Sequence, residues 1–189
     1  MKRGLLVVIS GPSGVGKDTV IRRLLELDPN LVYSVSGTTR PPRDGERPDE
    51  NYTFLTREAF ENLVEEGAFL EHATYNGHLY GTFRDRVERA RDGGHDVVLK
   101  IDVQGEEQVR AQIPDAIRIF VVAPSEQELE RRRTQRGSES ARDLDSRRKI
   151  AEREMTYAAQ YDHVVTNDDI ERAAHEILDL IRRARERHT

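Results

Sequence analysis

With 189 residues, the chain has room for one domain, or one domain with insertions, and for a substantial core. It holds no cysteine, which excludes disulfides and thiolate metal sites, and its net charge of −5 argues against a general nucleic-acid binder, which needs a basic face. No apolar run reaches the length of a membrane span, so a membrane partner is not expected. The N-terminus enters a strand without a cleavable leader, and the chain reads as cytoplasmic.

The apolar run at residues 5–10 predicts a buried strand. Gly11-Pro12-Ser13-Gly14-Val15-Gly16-Lys17-Asp18-Thr19 follows, and a helical pattern begins at Val20. Strand, glycine-rich loop and helix with lysine at its mouth form the arrangement that cradles phosphates. The glycines let backbone N–H groups converge on an anion, and the helix N-terminus adds donors and partial positive charge. The residue after the lysine is usually Ser or Thr, whose hydroxyl binds magnesium. Here it is Asp18, which reads either as a hard oxygen ligand for Mg²⁺ or as an acid suited to a first helical turn.

Further along, 31–36 predicts a second strand. Residues 37–92 break simple strand–helix alternation. They hold a loop rich in proline, glycine and charge at 39–48, a short strand at 52–55 and a helix at 57–66. Two strands at 69–74 and 78–81 then flank an Asn76-Gly77 hairpin turn. Strands are expected again at 96–101, 117–122 and 163–166, continuously apolar as in a parallel sheet covered on both faces. Ser125 with Glu128 forms a capping box before a helix. Residues 130–160 are helical by propensity but poor in apolar side chains, which suits a mobile flap. The last helix, from Asp169, places Ile170, Ala173, Ala174, Ile177, Leu178 and Ile181 on one stripe. The histidines show no metal-ligand spacing.

Three motifs join the phosphate loop: Ser34-Val35-Ser36-Gly37-Thr38-Thr39-Arg40-Pro41-Pro42-Arg43-Asp44-Gly45-Glu46, Asn51-Tyr52-Thr53-Phe54 and Phe69-Leu70-Glu71. Tyr80-Gly81-Thr82, Ile101-Asp102-Val103-Gln104-Gly105 and Thr166-Asn167-Asp168-Asp169 complete the set. Together they resemble guanylate kinase over nearly the whole chain. The resemblance implies an α/β fold: a P-loop parallel five-stranded core sheet flanked by helices, with an inserted α+β GMP-binding subdomain and a helical lid. The corresponding segments are 1–36, 93–129 and 161–189 for the core, 37–92 for the GMP subdomain and 130–160 for the lid. The implied reaction is Mg²⁺-dependent transfer of the ATP γ-phosphate to GMP. ATP would lie on Gly11–Thr19, with Asn167 near the adenine.

In the GMP subdomain, Arg40 and Arg43 flank two stiffening prolines, and guanidinium forks suit a phosphate dianion. Tyr52 and Tyr80 offer phenolic hydrogen bonds to the same phosphate, although core packing with a rim hydroxyl is the plain alternative. Glu71 matches the family's base-reading carboxylate, and Ser36 and Thr82 match hydroxyls that contact the base, where the family often has Ser in place of Thr82. Taken alone, Glu71 reads as a surface acid. Arg132, Arg136 and Arg147 match the family's lid arginines over the transferring group; taken alone, they are solvated charges. Asp102 ends a buried strand, where acids commonly meet ligands, and is the expected acidic partner near the acceptor, touching the metal through water. The family frequently has an acid where this chain has Lys100, which would pair with Asp102 or Glu71 or face outward.

Two other readings remain at this point. One is a ribose 1,5-bisphosphate phosphokinase-like enzyme, against which the base-reading set argues. The other is a non-catalytic guanylate-kinase-like module that binds peptides, against which the intact Gly16-Lys17 argues. Oligomeric state is not legible.

Overall fold

The computed structural model describes residues 2–134 and 156–187. Leu6–Ser10 forms β1, buried along its whole length, and Lys17–Leu27 forms α1, which buries Val20, Ile21 and Leu24. Leu31–Tyr33 (β2), Asp96–Lys100 (β7), Ile117–Val122 (β8) and His163–Thr166 (β9) join β1 in a parallel five-stranded sheet of order β2-β7-β1-β8-β9. β2 is shorter than the sequence predicts. Ser34 N–H still bonds the Val98 carbonyl, but the chain leaves the sheet beyond it.

A second sheet has the order β4-β3-β6-β5, built from Gly37–Thr38 (β3), Thr53–Phe54 (β4), Phe69–Tyr75 (β5) and His78–Phe83 (β6). The Asn76-Gly77 turn forms as predicted. Both residues have positive φ, 48° and 79°, and they join the Tyr75–His78 pair.

The chain divides into two compact units. One holds the described residues up to Leu6 with Val32–Ala116; the other holds Val7–Leu31 with the described residues from Ile117 onward. The first unit packs α2 (Arg57–Glu65) on the second sheet through Phe60, whose ring stacks on Phe69 at 4.5 Å. It also contains α3 (Arg84–Asp92) and α4 (Val103–Gln112), which the sequence reading does not name. α3 buries only Val87 and Arg91, too few positions for an apolar period to show. In the second unit, α5 (Glu126–Thr134) follows β8, and α6 (Ile170–Arg187) packs on α1. The α6 stripe is Ala173, Ala174, Ile177, Leu178, Ile181 and Ala184. Ile170, expected on it, opens the helix and is 39% exposed. Among the described residues no helix is long and apolar enough to cross a membrane.

Candidate active site

The phosphate loop is shaped by backbone that side chains rarely allow. Gly11, Gly14 and Gly16 have φ of 138°, 88° and 96°. At Gly11 a Cβ would lie 2.2 Å from the Val121 carbonyl oxygen, so the loop leaves β1 pressed against β8. Val15 between them is fully buried. Gly16 precedes α1 and offers no side-chain cap, which leaves the helix mouth to an anion. The Lys17 ammonium donates to the carbonyls of Gly11 and Pro12. Asp18 stands exposed in the first turn of α1, and Pro12 is buried while Ser13 and Thr19 are half-buried.

Asn167 is more than a neighbour of this loop. It is 3% exposed, and its Nδ2 donates to the Val15 carbonyl at 2.8 Å. Its Oδ1 is buried and has no partner among the described residues. Arg132 reaches the same backbone: Nη1 donates to the carbonyls of Asn167 at 3.0 Å and Val15 at 3.4 Å, while Nε donates to Glu128 at 2.7 Å. Bonds from Arg131 and Arg132 hold the Glu128 carboxyl down at about 2. The capping box is therefore half formed. Glu128 N–H donates to Ser125 Oγ, but its carboxylate serves the arginines. Arg136 and Arg147 lie outside the described residues.

The residues expected at the acceptor site fall, within the first unit, into two clusters. In one, Arg40 Nη2 donates to both carboxylate oxygens of Glu46, at 2.8 and 2.9 Å, and the guanidinium lies 5.4 Å from the Tyr52 ring centroid. Tyr52 meets Tyr80 edge-on at 5.9 Å, and the Lys100 ammonium lies 5.4 Å from the Tyr52 centroid. Lys100 thus packs on an aromatic face. Arg43 is exposed, and its backbone N–H donates to Glu46. Glu46 organises this loop, a role the sequence reading missed, although the spacing of an acid six residues after Arg40 was there to see.

In the other cluster, Glu71 on β5 pairs across the hairpin with Thr82 on β6. Glu71 is 4% exposed, and the Thr82 hydroxyl donates to its Oε1 at 2.6 Å. Burial pushes the Glu71 carboxyl up to about 7, with the Asp102 charge adding to the rise and the Thr82 bond opposing it. Asp102 is half-buried and caps α4 by accepting from Gly105 N–H at 2.9 Å. Ser36 is buried, and its carbonyl accepts from Thr53 N–H. Glu71, which taken alone reads as a surface acid and by the family resemblance as the base-reading carboxylate, is buried and hydrogen-bonded.

A buried strand, a loop turned by left-handed glycines and a helix entered through lysine define the P-loop class of nucleotide-phosphate-binding α/β proteins. A sequence profile described as Guanylate kinase matches residues 3–184. The guanylate kinase of Rubrobacter xylanophilus is 48% identical over 183 residues, 97% of this chain and 96% of that protein. That of Thermus thermophilus is 48% identical over 185 residues, 98% and 84% of the two chains. Among solved structures, guanylate kinase from Anaplasma phagocytophilum superimposes with a TM-score of 0.81 at 36% identity, covering 96% of this chain and 86% of that one. The chain belongs to the guanylate kinase family and is a phosphotransferase of the nucleoside monophosphate kinase type.

Proposed function

We propose that this chain moves the γ-phosphate of ATP onto GMP, giving ADP and GDP, as a cytoplasmic enzyme of purine nucleotide metabolism. The observation that carries the reading is the Glu71 carboxyl, buried in the first unit with the Thr82 hydroxyl donating to its Oε1. Guanine offers N1–H and N2–H₂ side by side, and one carboxylate accepts both. Adenine has neither donor and would leave a buried acid unpaired, at a cost of about 1–3 kcal/mol or more. The hydroxyls of Ser36 and Thr82 complete the base-reading edge. Arg40, held in register by Glu46, binds the GMP phosphate with Arg43 and the phenols of Tyr52 and Tyr80.

On the donor side, the main chain of Gly11–Thr19 holds the ATP phosphates. Lys17 exchanges its loop carbonyls for β- and γ-oxygens. Asn167, with Oδ1 unspent, sits at the adenine end. Arg132, Arg136 and Arg147 neutralise charge on the transferring group, which phosphoryl transfer needs more than covalent catalysis. The residues present fit a magnesium ion carried on phosphate and water. Asp18 is an exposed hard-oxygen ligand beside the loop, and the described residues contain no cluster of three or more metal-binding side chains. Asp102 would be a second acid available to such an ion. When bound, the cation would supply charge neutralisation at the β- and γ-oxygens.

The test is a coupled assay of ADP release with GMP, AMP and ribose 1,5-bisphosphate as acceptors. Turnover should require GMP and Mg²⁺, with AMP at least about tenfold poorer. Turnover with the ribose bisphosphate alone would identify the sister enzyme, and none with any acceptor a binding module.

A further inference from the structure

Gly105 is a glycine whose backbone does not ask for one. It is the third residue of α4, buried, and it is absent from the glycines of positive φ. Glycine inside a helix weakens it relative to alanine, because it has more freedom to lose. Something other than conformation must therefore favour the missing side chain. The surroundings supply it. A Cβ built at Gly105 would stand 2.2 Å from Glu71 Oε2, 2.9 Å from its Cδ and 3.4 Å from its Cγ. The far end of a flexible acid can usually step aside. This one is 4% exposed, and its other oxygen, Oε1, accepts from the Thr82 hydroxyl at 2.6 Å.

We infer that Gly105 is a specificity-determining residue: its bare Cα seats the Glu71 carboxylate against the first turn of α4 and so fixes where the guanine donors are read. The inference rests on the base-reading role proposed for Glu71. Thr82 positions Oε1, and Gly105 sets how closely Oε2 approaches the helix. Asp102 ties the same turn together by accepting from Gly105 N–H, so the seat is fixed at both its atoms. A methyl group there would displace Oε2 by about an ångström, since a real Cβ essentially never has a neighbour closer than 3.0 Å. A carboxylate so displaced keeps one guanine donor at most.

The experiment compares GMP with inosine monophosphate, which keeps N1–H but lacks the 2-amino group. The ratio of their kcat/KM values does not depend on how much of a preparation is folded. Gly105→Ala should lower that ratio about tenfold, with the KM for ATP unchanged, because one charge-assisted bond to the 2-amino group is lost. If Gly105→Ala keeps the ratio while Glu71→Gln loses it, the inference is overturned and base reading by Glu71 stands. If Glu71→Gln also keeps it, both fall. Should Gly105→Ala fail to fold, Glu71→Ala in the same chain should restore folding by making room for the methyl. A double variant that still does not fold overturns the inference.

Discussion

The proposed donor loop and the proposed acceptor residues would grip phosphates and bases by opposite means. The loop works with main chain, and its side chains matter mostly by being absent, as at Gly11 against the Val121 carbonyl. The proposed acceptor residues are side chains from separate elements and loops, with Glu46 bonded to Arg40 and Thr82 to Glu71, and Gly105 inferred as a further seat for Glu71. A main-chain site is fixed once the fold is fixed. A side-chain site depends on a chain of supports, and any one of them can be removed while the fold survives.

The hardest blow to this contrast is at Lys17, whose side chain the proposed donor loop depends on. Lys17→Ala should lower kcat roughly 10²–10³-fold while the KM for GMP stays put. A rise in GMP KM as large as the fall in kcat would mean the two grips are not separable.

Glu71 comes next, through pH. Its folded carboxyl titrates near 7 and its unfolded one near 4.5, so the folded protein keeps a proton that the unfolded chain gives up. That stability is fully present below the unfolded value and is lost as pH rises through the folded one. By its size the loss is on the order of 3 kcal/mol. Glu71→Gln should therefore gain in melting temperature over the wild type between about pH 4.5 and 7, and hold that gain above. Thermal unfolding without nucleotide reads it, and a pH-independent difference would show that the acid is not desolvated.

The smallest effects separate charge from orientation. Arg40→Ala should raise the GMP KM by roughly 10–100-fold, as for loss of a charged hydrogen bond. Glu46→Gln, which keeps the cation but loosens it, should raise it by about fivefold, the cost of ordering one long side chain. The KM for ATP should not move in either.

The donor loop was legible because its determinants are adjacent in sequence. Nine residues between a strand and a helix carry the glycines, the lysine and the spacing. The hairpin at Asn76-Gly77 was legible for the same reason. The acceptor side was not, except through the family likeness. Glu71 meets Thr82 only because β5 and β6 pair in that register, which shifts between Phe69 and Glu71. Gly105 lies 34 positions from Glu71 along the chain, in a helix whose weak apolar pattern hides it. Lys100 could be placed only by its packing on Tyr52. Asn167 carried a family role, but its support of the Val15 carbonyl needed β9 beside β8.

The helix that follows the phosphate loop is fastened by a helix from the far end of the chain. Arg23 pairs with Glu171 at 2.7 Å and Asp28 with Arg185 at 2.7 Å, one ion pair near the middle of α1 and one just past its end. Residues 7–31 thus cluster with the chain beyond residue 117, although β1 and β2 also pair with β7. During synthesis on the ribosome, the run from Val32 to Ala116 emerges with most of its own packing partners already made. α1 stays without its helix partner until residues 170–187 have been made, since distant pairings close last. The helix that opens at Lys17 therefore gains its packing partner long after the glycine-rich loop before it has been made.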